Sequence, residues 1–157
     1  MSEQVKMVDA LIENMAAVGF TGIPEEQWEM CRLLLSDLSP SFESFEFQVW
    51  GDCYAAVNVV LNFAFIRIKN LEYAAKRFEK TKFGEVRKGY GGNYVANDEV
   101  LGVVMSSDEA QVLADKILKF EMLKQSAWVL KELLQARRDF ILETSKNRRV
   151  EAMMENR

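Results

Sequence analysis

The sequence contains no histidine. That absence removes Ser-His-Asp and Cys-His catalysis, every imidazole metal site, and the side chain that titrates near neutral pH. Cysteine is scarce: Cys31 and Cys53 are the only two, and so wide a spacing builds neither a zinc ribbon nor a CxxC redox motif. They read as two free buried thiols. Two prolines and eight glycines among 157 residues leave few breaks, and with 49% apolar and 28% charged residues the chain reads as one helical domain, 1–157. At this length it needs no disulfide or metal to fold. Uninterrupted apolar runs are missing as well. Glu3, Lys6, Asp9 and Glu13 divide the segment Met1–Val18, unlike a signal peptide, and the apolar run Tyr54–Ile66 contains Asn58 and Asn62, too short and polar to cross a bilayer. The expectation is a cytoplasmic protein without membrane contact.

What is present is helical periodicity. Val5, Val8, Leu11, Ile12 and Met15, followed by Gly19 and Gly22, predict a first helix ending near Val18. A second starts at Pro24, with Glu25, Glu26 and Glu29 at the positive end of its dipole and Trp28, Cys31, Leu34, Leu35 and Leu38 as its buried stripe, and Ser39-Pro40 stops it. Phe45, Phe47 and Val49 alternate as in a strand, so a short β element near 45–50 stays open, as does strand against helix over 42–62. Val57, Leu61, Ala64, Ile68, Leu71, Ala75 and Phe78 then form a heptad seam, which predicts a long helix over about 52–83 ending at the glycines 84, 89, 91 and 92. Ser106 and Glu109 make a capping box for a last helix over about 107–147. On that helix Leu113, Ile117, Phe120, Leu123, Ala127, Leu130, Leu134 and Ile141 share one face. Leu118, Met122, Val129, Leu133 and Phe140 fall nearly opposite, as expected of a helix buried on two sides, and are the candidate interface of a homo-oligomer. The fold class is an all-α helical bundle whose two long helices are joined by a Gly/Tyr loop.

Charge is unevenly spread. Residues 1–66 hold 2 basic and 10 acidic side chains, whereas residues 67–157 hold 18 basic and 14 acidic. Arg67, Lys69, Lys76, Arg77, Lys80, Lys82, Arg87 and Lys88 outnumber Glu72, Glu79 and Glu85 just before Gly89-Tyr90-Gly91-Gly92-Asn93-Tyr94. Cations for phosphates beside aromatic faces for bases are what a single-stranded nucleic-acid site requires, so Lys82, Arg87, Lys88, Tyr90 and Tyr94 are the candidate binding residues. A solvated helix face followed by an ordinary loop reads equally from the same residues. The loop is no phosphate cradle, because GxxxxGK[ST] is absent. Lys146, Arg148 and Arg149 read either as phosphate contacts or as basic residues that complement the dipole of a long helix and solubilise its end. The acidic pairs Glu25-Glu26, Asp98-Glu99 and Asp108-Glu109 sit where helices start and nominate no metal site, cofactor or catalytic residue.

A basic helix running into Glu85-Val86-Arg87-Lys88-Gly89-Tyr90-Gly91-Gly92, a short linker, then Val104-Met105-Ser106-Ser107-Asp108 and a long capped helix with a basic end resembles the UvsY-type recombination mediators of T-even-like phages. The match is one of layout and a few residue types over about residues 67–155. It implies an all-helical, ring-forming, non-enzymatic accessory protein that binds single-stranded DNA and helps load a recombinase in place of single-strand-binding protein. The family's basic motif maps onto Lys82, Arg87 and Lys88, with Gly84 and Glu85 interrupting it; the first 60 residues, acidic and aromatic-rich, have no counterpart. The competing expectation is a small helical adaptor or inhibitor, phage-encoded in one version, whose acidic half docks on a host protein.

Overall fold

The computed structural model describes residues 3–36 and 44–155. These form five helices: α1 (Glu3–Ala17), α2 (Glu25–Ser36), α3 (Ser44–Gly89), α4 (Asn97–Met105) and α5 (Asp108–Glu155). The architecture is an all-α helical bundle, with no strand among the described residues. Leu38, Ser39-Pro40 and Phe42 lie outside them.

Local chemistry accounts for most helix ends. At the end of α1 the Phe20 N–H reaches the Met15 carbonyl (2.9 Å) and Gly19 N–H the Ala16 carbonyl (3.1 Å), with Gly19 at φ 71°, a Schellman stop that a residue with a Cβ would strain. The β element near 45–50 does not form: residues 44–50 are the first turns of α3. Phe47 is exposed while Val49 and Trp50 are half-buried, so the alternation marks no buried sheet face, and extending a helix already nucleated by the seam costs little. Gly84 does not end α3 either. The helix runs on to Gly89, because one glycine inside a 46-residue helix costs only about 1 kcal/mol. The predicted capping box is displaced by one position. Ser106 closes α4, and Ser107 Oγ accepts from the Ala110 N–H at 3.4 Å, so the N3 position is alanine and no glutamate reaches back. α4 occupies a stretch that the sequence alone reads as linker.

The chain forms two compact units, residues 1–62 with 123–157 and residues 63–122. In the first, α1 contributes Val8 and Leu11, α2 Trp28 and Leu35, α3 Val57 and Val60, and α5 Leu130, Leu134 and Ile141 to a fully buried core. Polar ties fix its helices. Asn14 Nδ2 donates to Ser126 Oγ at 2.7 Å, Trp50 Nε1 to the Leu134 carbonyl at 2.7 Å, and Arg32 pairs with Asp9, Glu25 and Glu29. The second unit is more thinly packed: Ala64, Ile68, Val100 and Val104 are buried, Phe63 meets Phe120 edge-on at 5.9 Å, and Leu113 and Ile117 are half-buried beside a cavity of about 350 Å³.

Folding also redistributes charge. The first unit carries 10 basic and 15 acidic residues and the second 10 and 9, because the basic end of α5 belongs with the acidic N-terminal segment. An 18-residue window within Phe47–Gly89 has a mean hydropathy of 1.4, with 28% of it buried. The apolar stretch is therefore longer than the run Tyr54–Ile66 read from the sequence, and meets the length and composition of a bilayer span.

Candidate nucleic-acid interface

The interface candidates Lys82, Arg87, Lys88, Tyr90 and Tyr94 all belong to the 63–122 unit, and the last turns of α3 carry the three cations. At 100° per residue Lys82 lies about 140° round the helix from Arg87. It is half-buried and pairs with Glu85 at 3.2 Å, so the structure does not bring it together with Arg87. Arg87 is exposed, and its Nη1 donates to Asn97 Oδ1 at 3.1 Å, a contact that ties the first residue of α4 to the end of α3. A guanidinium has five N–H donors, so four remain for a phosphate. Lys88 is exposed and has no ion pair among the described residues.

Between α3 and α4 the chain makes a tight turn. Asn93 N–H donates to the Tyr90 carbonyl at 3.1 Å, and the two central residues, Gly91 and Gly92, have φ of 62° and 87°. Two positive φ values in succession are the signature of a type I′ turn, which glycine occupies without strain. The glycines therefore shape a turn rather than a loose loop. Tyr90 is half-buried at its start, whereas Tyr94, just past it, is 95% exposed.

Sequence reading missed part of the surface. Lys69, Tyr73, Lys76, Lys80 and Arg87 are spaced 4, 3, 4 and 7, which places all five within an arc of about 60° on α3. All five are exposed, Tyr73 at 68%. Lys69 makes only an exposed ion pair with Glu72 (3.4 Å) and lies 5.7 Å from the Phe65 ring centre. The 4-3-4 spacing of Lys69, Tyr73, Lys76 and Lys80 lies within the predicted helix and was legible in the sequence; only the alignment of Arg87 with them requires the helix to continue through Gly84. Across residues 63–89 α3 carries 8 basic and 3 acidic side chains. From Lys69 to Arg87 the face spans about 27 Å along the axis.

A second aromatic and cationic group sits in the other unit. Trp50 stacks on Tyr54 (4.9 Å), Arg138 lies 5.3 Å from the Trp50 ring, and Lys131 lies 5.5 Å and 5.7 Å from the Tyr54 and Trp128 rings. These cations already face aromatic rings and help to tie α3 to α5.

Of the candidate oligomer residues, Leu118 and Met122 in one unit are 59% and 51% exposed, and Phe140 in the other is 49% exposed, while Val129 and Leu133 are half-buried. α3 adds Val59 (53%) in the first unit and Phe65 and Ile66 (54% and 57%) in the second. Among the described residues no group of three or more His, Cys, Asp or Glu converges as metal ligands would. No protein-family model matches the chain, and comparison with curated proteins and with solved structures gives no match.

Proposed function

We propose that this chain is a non-enzymatic, oligomeric accessory protein that binds single-stranded nucleic acid along the α3 face of Lys69, Tyr73, Lys76, Lys80 and Arg87 and the turn beyond it. The supporting observation is that this face and the turn beyond it combine exposed cations with two solvent-presented tyrosines, Tyr73 on α3 and Tyr94 past the turn. The cations neutralise phosphates and release counterions, and the tyrosines stack on bases that a duplex keeps paired. Homo-oligomerisation is supported by Leu118, Met122 and Phe140, large apolar side chains presented to water that a second copy would cover. The likeness in layout to UvsY-type mediators extends this reading to a phage recombination mediator acting in the cytoplasm with a recombinase as partner. The direct test is fluorescence anisotropy with a labelled single strand and its duplex at low salt: the single strand binds more tightly, and equal binding of the two removes the stacking role.

The adaptor reading is favoured by a different observation. Arg32 is engaged by three carboxylates, so Glu3, Glu13 and Glu26 leave an exposed, predominantly acidic surface on α1 and α2. On that reading oligonucleotides do not bind, and a basic protein partner is retained on the immobilised full chain.

A further inference from the structure

Cys31 on α2 and Cys53 on α3 are fully buried, unbridged and unused by the surface described above. Cys53 Sγ lies 4.0 Å from the Gln27 carbonyl oxygen. Gln27 and Cys31 are one helical turn apart on the same face of α2, so the sulfur that reaches one is beside the other. The neighbouring thiol pushes Cys31 up, with burial adding to it, and lowers Cys53 against the opposing effects of burial and the Asp52 charge. Cys53 is the donor in its contact with the Gln27 carbonyl. Cys53 also lines a cavity of about 280 Å³ that opens to solvent between Gln27, Met30, Val49 and Asp52, and Cys31 does not.

We propose that the pair is an oxidation site, at which a small peroxide entering the cavity oxidises Cys53 and Cys31 resolves the product into an intrachain disulfide. Cys53 sulfur attacks one oxygen of hydrogen peroxide; the O–O bond breaks, and the departing hydroxide leaves as water with the Cys53 proton. Cys31 sulfur then attacks Cys53 sulfur of the sulfenic acid; the S–O bond breaks, and the hydroxyl group leaves as a second water with the Cys31 proton. Two thiols lose two electrons and the peroxide is reduced to two waters. The new bond ties α2 to α3, and the site is independent of whether the chain binds nucleic acid.

The test treats the native full-length chain with dilute hydrogen peroxide, with and without dimedone, then blocks remaining thiols with N-ethylmaleimide and maps them by mass spectrometry. The expected product is a Cys31–Cys53 linked peptide, two hydrogens lighter and restored by dithiothreitol, with dimedone captured at Cys53 during the time course. In Cys31→Ala the dimedone adduct at Cys53 should persist and accumulate, and in Cys53→Ala the Cys31 thiol should stay reduced. Should either alanine variant lose its helical circular dichroism, the wild-type time course decides alone. Two alkylated thiols in peroxide-treated wild type, or dimedone captured first at Cys31, would overturn the proposal.

Discussion

Tyr94 and Tyr90 occupy different environments, and the difference sets what each can give a base. Tyr94 is 95% exposed and free to stack, whereas Tyr90 is half-buried and its carbonyl closes the turn at Gly91-Gly92. Tyr94→Ala and Tyr73→Ala should each weaken single-strand binding by about 1–3 kcal/mol with no change in its salt dependence, measured by anisotropy titration at several salt concentrations. Tyr90→Ala should instead lower the thermal unfolding midpoint. The cations separate in the same way. Arg87→Ala with Lys88→Ala should flatten the slope of log affinity against log salt by about 0.7 for each lost contact, while Lys82→Ala, turned to the packed side of α3, should leave it nearly unchanged. The residue types of this site were legible in the sequence as a basic run beside two tyrosines. The angular placement of Arg87 and Lys88 was not, because it depends on whether the helix continues beyond residue 83.

At the scale of elements, Gly84 makes a clean case. It lies inside α3 without a positive φ, and a Cβ built on it would meet nothing within 4 Å. Gly84→Ala should therefore stabilise the chain by about 1 kcal/mol in denaturant unfolding, whereas Gly91→Ala, at φ 62°, should destabilise it. Helices with an unbroken apolar stripe could be placed closely from sequence, α1 at its end and α2 at its start. α3 and α5 could be recognised by their seams, but their lengths could not, since helix propagation tolerated Gly84 at one end and the strand-like alternation of Phe45, Phe47 and Val49 at the other. α4 escaped notice for a related reason. Its cues, Asp98 and Glu99 in the first turn and Val100 and Val104 one turn apart, occupy a short segment beside a glycine-rich stretch that reads as loop.

For the whole molecule, the two compact units differ in both charge and packing, and each leaves large apolar side chains in water. Light scattering should give a mass well above the 18.1 kDa of one chain, and Leu118→Glu with Phe140→Glu should reduce it while helical circular dichroism is retained. A wild-type mass of one chain would mean that these side chains stay uncovered. On the proposed function, the exposed cations of α3 hold the phosphates of a single strand, and each such contact is read out in the salt dependence of binding. The measurement is the anisotropy-derived affinity of the wild-type chain for a labelled single strand across a range of salt concentrations, beside the variant Lys76→Glu, Lys80→Glu and Arg87→Glu. The expected result is a wild-type slope of log affinity against log salt near −3, at about 0.7 per phosphate for four or five contacts, and loss of binding in the variant. A wild type that fails to bind at low salt, or binds with a slope near zero, would contradict it.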